Sequence, residues 1–221
     1  NNKDLPIKAV NVFDPRFEGL YGDQRPVKGS APGKGSAMYL GMAVAKGDIV
    51  LFVDSDFQNI DPRFVYGLIG PFEDPKTILS KATFDLEDIY EPIVEECRKN
   101  HTSVGDNDLL LKSVNARTLA RPMMKILDKD LGIYPSISNF NGPLSGGCAA
   151  PKEIWQSLRI PKDYGIEVSY LMQLIDRFPN GNIAYDVNLG EVVQESQDAD
   201  GRVRMAENII RTIFGHIKQK D

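Results

Sequence analysis

The sequence predicts an α/β protein whose central sheet is covered by helices on both faces. Short apolar runs alternate along the chain with segments of helical pattern, which is typical of that class. One run, Ile49–Val53, has five consecutive apolar residues, as expected for a strand buried on both faces. A chain of 221 residues with 42% hydrophobic residues can bury a substantial core. Because no repeat or linker divides it, we expect a single domain over residues 1–221.

The elements follow from apolar periodicity and from start and stop signals. The predicted strands are Ile7–Phe13, Ile49–Val53, 77–84 and 182–190. The predicted helices are about 35–47, 61–72, 87–100, 122–129, 151–158, 166–178 and 205–220. Asp61 and Pro62 make a helix start, since aspartate caps free N–H groups and proline suits the first turn. Pro122 is expected to open its helix in the same way.

The bulk charge of the chain excludes some classes of partner. The formal net charge is −5, whereas a broad grip on nucleic acid or on an anionic membrane needs clustered positive charge. The longest apolar run has five residues, far short of a membrane span, and no signal peptide opens the chain. We therefore expect a soluble, cytoplasmic protein with no nucleic-acid partner and no membrane span.

Cysteine and histidine usage narrows the chemistry further. Cys97 and Cys148 lack the spacing of metal ligands and are interpreted as two reduced thiols. The only histidines are His101 and His216, which excludes a histidine-rich metal site.

Two aspartates follow the apolar strand Ile49–Val53. In an open α/β sheet, ligands bind beyond the carboxyl ends of the strands, where Asp54 and Asp56 lie. If strand geometry continues through them, both carboxylates point to one side and repel each other. Mg²⁺ or Mn²⁺ removes this conflict, because hard cations prefer carboxylate oxygens and add substrate phosphates and water. The pair predicts a metal-diphosphate site; the alternative is that an aspartate simply caps the following turn.

A glycine-lysine loop precedes the same strand. The segment "APGKGSA" places Lys34 between glycines directly before a helix, where unpaired N–H groups and the helix dipole favour an anion. It is not a Walker loop, because the glycine spacing differs and Gly35 follows the lysine. A helix and a strand separate Lys34 from Asp54, which brings both to one edge of the sheet. A solvated surface lysine is the alternative.

These residues resemble a known family. The segment "PGKGSAMYLGMAVAKGDIVLFVDSD" is similar to the nucleotide-sugar half of GT-A glycosyltransferases, most closely the retaining glucosyl-3-phosphoglycerate synthases and their mannosyl relatives. The segments "LARPMMKIL", "GPLSGGCAAPKEIW" and "DYGIEVSYLMQLIDRF" resemble later family motifs in the same order, over about residues 30–190. The resemblance implies a GT-A fold with a mostly parallel central sheet flanked by helices. It also divides the domain into a nucleotide-binding part, about 1–60, and an acceptor-binding part with the C-terminal helix, about 61–221.

The resemblance assigns donor and metal roles to the first part. Lys34, with Gly35, would contact the base or the phosphates of a nucleoside diphosphate sugar. Asp54, with Ser55, would contact the sugar moieties of this donor. Asp56 would hold Mg²⁺ or Mn²⁺ on the diphosphate and would be a catalytic residue.

It assigns the hexose and acceptor contacts to the second part. Gly146, with Ser145 and Gly147, would lie beside the transferred hexose and the acceptor. Glu167 would hydrogen-bond the hexose hydroxyls as a second catalytic residue, with Tyr164 nearby in the donor site. Glu167 could instead be a carboxylate of the first helical turn, and Tyr164 could simply pack.

Three departures from the family pattern bear on the metal and on turnover. Gln194 and Ser196 stand where the family has a His-x-Asn pattern, so Gln194 is the remaining candidate for a metal ligand there. The family's Gly-Glu-Tyr is Gly146-Gly147-Cys148, which removes a carboxylate. The strand that normally opens this fold is not visible before Ile7, so the chain lacks it or begins partway through the protein.

The implied reaction is transfer of a hexose to a small phosphorylated hydroxy acid such as 3-phosphoglycerate. The basic residues available for that acceptor are Arg117 and Arg121, near Lys112 and Lys125; a solvated basic face is the alternative. Two rival functions stay open, a sugar-1-phosphate nucleotidyltransferase and a nucleotide-sugar-binding domain with impaired catalysis. The oligomeric state is open as well, a homodimer included.

Overall fold

The computed structural model of the chain describes residues 9–17, 33–85, 95, 99–100, 115–193 and 199–220. The strands are β1 Ile49–Phe52, β2 Thr77–Thr83, β3 Cys148–Pro151 and β4 Asn182–Asn188. The helices are α1 Lys34–Val44, α2 Pro62–Ile69, α3 Arg121–Lys125, α4 Lys152–Ser157, α5 Ile166–Arg177 and α6 Ala199–Ile217. Two widened π-type turns, Ala116–Ala120 and Ile126–Asp130, flank α3.

The four strands form one mixed sheet in the order β1-β3-β2-β4. β3 runs antiparallel to β1 and to β2, whereas β2 and β4 are parallel. The first residue of β3, Cys148, pairs with Phe52 at the end of β1 and with Lys81 near the end of β2. The amino end of β3 therefore lies at the same edge as the carboxyl ends of its two neighbours. The expected α/β fold is confirmed, but the sheet is mixed rather than mostly parallel in its pairings.

Helices cover both faces of the sheet, as the apolar strands predict. One face packs under α1, α4, α5 and α6, and Trp155 lies fully buried at its centre. The Trp155 Nε1 donates to the Val50 carbonyl at 3.1 Å, and the ring meets Phe52 and Tyr170 edge to face. The other face packs under α2, with Phe64 fully buried. Burial of these aromatic rings on both sides holds the sheet rigidly beneath the loops at its edge.

Several sequence predictions are confirmed within about three residues. They include the strands β1, β2 and β4 and the helices α1, α2, α4 and α5. The Asp61 side chain accepts a hydrogen bond from the Arg63 N–H at 2.8 Å and caps α2, with Pro62 in the first turn.

Other sequence predictions are wrong in detail. The described part of the strand predicted over Ile7–Phe13 is a turn, because the Asn11 side chain accepts from the Phe13 N–H at 2.9 Å. The helical run around Pro122 begins earlier, with the π-type turn Ala116–Ala120, so Pro122 does not open it. The last helix starts at Ala199 rather than near residue 205.

Some predictions fall on residues that the structure does not describe. They concern most of the helix predicted over 87–100, with Cys97, and also His101, Lys112, Gln194 and Ser196. Cys148 is a free, buried thiol, as expected. Among the described helices, none combines the length and hydropathy needed to cross a membrane.

Candidate active site

The centre of the site is a lysine held between two carboxylates from different elements. Lys34 opens α1, Asp54 follows β1, and Glu167 lies in the first turn of α5. The Lys34 Nζ lies 2.7 Å from Asp54 Oδ1 and 2.5 Å from Glu167 Oε1. The Glu167 side chain is only 6% exposed. Partial exclusion of water strengthens these charge-charge interactions relative to an exposed pair.

The electrostatics of this triad keep the lysine charged. Burial alone would lower the pKa of Lys34, but Glu167 and Asp54 outweigh burial and hold this pKa above its ordinary value. Each carboxylate contacts the ammonium through one oxygen. The arrangement can therefore present fixed charge and hydrogen-bond acceptors to a polar ligand.

Close backbone packing explains the glycines on either side of Lys34. A Cβ on Gly33 would lie 2.0 Å from the Lys162 carbonyl oxygen, and one on Gly35 would lie 1.7 Å from that of Pro161. Only glycine permits this approach, which fixes the start of α1 against the segment before α5. Gly35 is thus buried against the backbone of Pro161. In its predicted donor-binding role it could contact the ligand only through its backbone N–H group.

A second close approach places the loop before β3 on Asp54. A Cβ on Gly146 would lie 1.8 Å from Asp54 Oδ2, so the glycine backbone packs directly against that carboxylate. The Ala82 N–H donates to the Gly147 carbonyl at 2.9 Å. The Gly147 N–H donates to Ser145 Oγ at 3.3 Å. The predicted residues Ser145, Gly146 and Gly147 thus lie beside the predicted donor residue.

The strand geometry that would point both aspartates to one side does not continue through them, because β1 ends at Phe52 and the chain turns over Ser55 and Asp56. Asp54 faces Lys34, whereas Asp56 and Ser55 are exposed. Among the described residues, no three Asp, Glu, His or Cys side chains converge as a metal cluster. A site with few protein carboxylates fits a hard cation that takes most of its ligands from phosphates and water, as Mg²⁺ commonly does.

The loop that carries Asp56 is tied to the segment before Gln194. The Gln58 N–H donates to the Val193 carbonyl at 2.7 Å, and the Val193 N–H donates to Asn59 Oδ1 at 2.9 Å. Gln194 itself lies outside the described residues. The chain nevertheless ties its neighbour Val193 to Gln58, two residues beyond Asp56.

The structure also gives the burial or contacts of the remaining predicted residues Tyr164, Arg117 and Arg121. Tyr164 exposes 37% of its surface, which does not fit a purely packing role. Arg117 is buried in the widened turn before α3. The Arg121 Nε donates to the Asn141 carbonyl at 2.5 Å, at the start of the loop that reaches Gly146. The structure therefore ties Arg121 to the loop before β3, whereas Arg117 is buried.

Sequence reasoning missed Lys81, which lies in β2 and is fully buried. Its Nζ donates to the Ser145 carbonyl and lies 5.4 Å from the centre of the Tyr170 ring. Burial lowers the pKa of Lys81, while the nearby Cys148 and Glu167 oppose this shift. A charged residue within the apolar strand "TILSKATF" was the signal available in the sequence.

The fold belongs to a structural class, the GT-A type of fold, as the comparisons with known proteins show. Residues 20–103 match the family model described as glycosyl transferase family 2. A crystal structure of mannosyl-3-phosphoglycerate synthase from Rubrobacter xylanophilus shares this fold with a TM-score of 0.67. It is 24% identical, and the match covers 92% of this chain and 55% of the other.

Within that class, the chain resembles the glucosyl-3-phosphoglycerate synthases. The curated enzyme from Petrotoga mobilis is 29% identical over 198 residues, which cover 89% of this chain and 55% of the relative. The Mycobacterium tuberculosis enzyme is 31% identical over 83% of this chain and 52% of its own length. The chain therefore spans about half the length of the curated relatives it matches.

Solved structures of the mycobacterial enzyme agree with the sequence comparison. One is a complex with Mn²⁺, uridine-diphosphate-glucose and glycerol 3-phosphate. It matches with a TM-score of 0.63 and 27% identity over 87% of this chain and 58% of the other. The family resemblance and the GT-A type of fold expected from the sequence are both confirmed.

Proposed function

We propose that the chain carries the active site of a metal-dependent retaining hexosyltransferase. The donor is a nucleoside diphosphate sugar of glucose or mannose, and the acceptor is a small phosphorylated hydroxy acid such as 3-phosphoglycerate. The relatives' names support this reaction, and the mycobacterial complexes with Mn²⁺ and uridine-diphosphate-glucose support the choice of cofactor and donor. Because the chain spans about half of these relatives, the reaction is proposed for the protein that contains it.

The observation that carries the proposal is the triad of Lys34, Asp54 and Glu167 with Gly146 against Asp54. Lys34 and Asp54 come from the proposed nucleotide-binding part, about residues 1–60. Glu167 and Gly146 come from the proposed acceptor part, about residues 61–221. A ligand that spans both parts, as a diphosphate joined to a hexose does, would meet all four residues at once.

The triad can assist departure of the diphosphate. Negative charge develops on the leaving diphosphate as its bond to the anomeric carbon breaks, and a fixed cation stabilises that charge. Lys34 is held charged by its two neighbours and needs no reorganisation to do this. Asp54 and Glu167 would each accept a hydrogen bond from a hexose hydroxyl and so orient the sugar.

We assign no protein nucleophile to this reaction. Asp54 and Glu167 both contact Lys34, unlike the paired carboxylates of retaining hydrolases, which face the sugar from about 5 Å apart. Retention of the anomeric configuration rests on the family resemblance.

Asp56 and Gln194 are the residues proposed to hold Mg²⁺ or Mn²⁺. The cation would supply further positive charge to the leaving diphosphate. Asp56 is exposed on the turn after β1, and residues 58 and 59 pair with Val193, which precedes Gln194 in the sequence.

The acceptor is proposed to lie on the loop 141–147. Ser145, Gly146 and Gly147 border Asp54, and Arg121 reaches the start of the same loop. A guanidinium there suits a phosphate or carboxylate group. Arg117 is assigned to the acceptor as well, although its burial favours an indirect role. A cytoplasmic location, a homodimer and the lack of a nucleic-acid partner stay predictions from the sequence.

One observation favours a second candidate function, binding of a nucleotide sugar without turnover. The described residues hold no cluster of three metal-binding side chains, and Gln194 replaces the family's histidine. Product analysis separates the candidates. Nucleoside diphosphate with a glycosylated acceptor supports the proposal, pyrophosphate indicates nucleotidyl transfer, and binding without product indicates the impaired domain.

The first experiment is a thermal-unfolding panel of UDP-, GDP- and ADP-sugars with Mg²⁺ or Mn²⁺. A ligand at a hundred times its Kd adds about 2.7 kcal/mol to stability, which such an assay resolves. Stabilisation by one donor that depends on the metal supports the proposal. A panel with no stabilised member contradicts it.

The second experiment replaces Asp56 by alanine. We expect Asp56→Ala to remove the metal-dependent part of nucleotide binding and to leave the protein folded, because this side chain is exposed. Asp48→Ala is the matched control, since Asp48 is an exposed aspartate at the other end of β1. Unchanged metal-dependent binding in Asp56→Ala would count against the metal assignment.

A further inference from the structure

Lys81 is a buried cation next to the proposed active site and has no role in the mechanism above. It is fully buried, and a buried ammonium is costly unless hydrogen bonds and charges compensate it. Its Nζ donates to the Ser145 carbonyl, and the Tyr170 ring lies 5.4 Å away in a cation-π arrangement. Such a site is retained at an energetic cost that an apolar side chain would avoid.

Strand alternation directs Lys81 to the face of the sheet that carries the triad. Leu79 packs on the face under α1 and α5, and side chains two residues apart in a strand share a face. The charges of Glu167, Lys34 and Asp54 all act on Lys81. With Lys81 charged, two ammonium groups balance two carboxylates in this part of the protein.

The loop before β3 is anchored on both sides of Gly146. On one side, the Ala82 N–H holds the Gly147 carbonyl at 2.9 Å. On the other side, the Lys81 Nζ holds the Ser145 carbonyl. Gly146 lies between these anchors, with its backbone against the Asp54 carboxylate. Release of either anchor would let the glycine move away from Asp54.

We propose that Lys81 is a positioning residue. It holds Ser145–Gly147 where Gly146 contacts the Asp54 carboxylate, and so positions the donor hexose. The proposal rests on the function proposed above, since it concerns the sugar-facing wall of the same site. Lys81 acts through the Ser145 carbonyl and does not touch the substrate. The base and diphosphate would bind at Lys34 and Asp56 without its help, which gives the proposal a measurable signature.

The test compares Lys81→Met with the wild-type chain and with Lys46→Met, a control that makes the same change at an exposed lysine. Affinities for UDP and for UDP-glucose are measured with Mn²⁺ by calorimetry, and hexose transfer is measured at saturating donor. We expect Lys81→Met to fold and to bind UDP as the wild type does. We expect its affinity for UDP-glucose relative to UDP, here called the sugar preference, to fall below that of the wild type, and its turnover to be about ten- to a hundredfold slower.

A second variant guards against a purely structural effect. Lys81→Gln keeps a hydrogen-bond donor for the Ser145 carbonyl, and we expect its sugar preference and rate to lie between those of wild type and Lys81→Met. An unchanged sugar preference in Lys81→Met would overturn the proposal, as would loss of folding in both variants. If the wild type binds no member of the panel of UDP-, GDP- and ADP-sugars, the proposed function fails instead.

Discussion

The close approach of Gly146 to Asp54 gives the sharpest prediction. In Gly146→Ala, the new Cβ would lie 1.8, 2.0 and 2.2 Å from Oδ2, Cγ and Oδ1 of Asp54. Ordinary contact begins near 3.4 Å, so the carboxylate or the loop must retreat by about 1.6 Å. The obstructing atoms end a side chain, and rotation of Asp54 is therefore the easier response. A retreat of that size breaks the 2.7 Å contact between Asp54 and Lys34.

The cost of this change falls on function more than on stability. Loss of one partly exposed ion pair costs about 1 kcal/mol or less. Misplacement of a substrate-contacting group by about 1 Å or more can slow a reaction about a hundredfold. We therefore expect Gly146→Ala to fold nearly as stably as the wild type, and to lose most UDP-glucose binding and hexose transfer. Urea unfolding and calorimetry with Mn²⁺ measure the two effects separately.

Gly215→Ala is the matched control for this experiment. Gly215 lies inside α6, and a Cβ added there would meet no heavy atom outside the helix within 4 Å. Alanine in a helix interior is favoured by about 0.5–1 kcal/mol over glycine, so this variant should be slightly more stable and equally active. Wild-type affinity and rate in Gly146→Ala would refute the placement of this glycine on the carboxylate.

Three other perturbations test contacts of the triad and the core. Lys34→Met leaves Asp54 and Glu167 without their shared cation, and we expect the free energy of unfolding to drop by about 1–3 kcal/mol. The double variant that adds Glu167→Gln should recover part of this loss, because one of the two carboxylates is then neutral. Urea unfolding of both variants measures the two changes. Burial lowers the pKa of His216. The unfolded chain therefore takes up a proton first, and the free energy of unfolding should fall as the pH drops below about 6.5; thermal unfolding of wild type and His216→Gln at pH 7 and pH 5 checks this, since the variant should lose less stability. Trp155→Phe removes the indole N–H that bonds the Val50 carbonyl and part of a fully buried ring, for a loss of about 1–3 kcal/mol in urea unfolding.

The elements that the sequence predicted well carry their own signals. β1 is an apolar run bounded by polar residues, and α5 has a strong amphipathic period. β3 was missed because "CAAP" holds small residues and a proline, which have low strand propensity. Its place in the sheet comes from pairing with β1 and β2, which are distant in sequence. Tertiary context, rather than local preference, makes it a strand.

The same distinction applies to the site. Lys34, Asp54 and Glu167 were found from local motifs, and the structure brings them together. The condition for a shared direction of Asp54 and Asp56, a strand that continues through them, is not met, because the chain turns directly after β1. Lys81 could not be assigned from sequence, since its partner Ser145 lies 64 positions away and meets it only through the pairing of β2 with β3.

The reversed direction of β3 has a consequence for how the pocket is assembled. A nascent chain that has emerged only as far as residue 100 contains Lys34 and Asp54 but lacks the strand that delivers Gly146. Contacts between such distant segments form late, after loop closure has been achieved. Under the proposed function, sugar recognition should therefore arise only once the whole sheet has formed, and a truncated amino-terminal fragment would be a nucleotide binder at best.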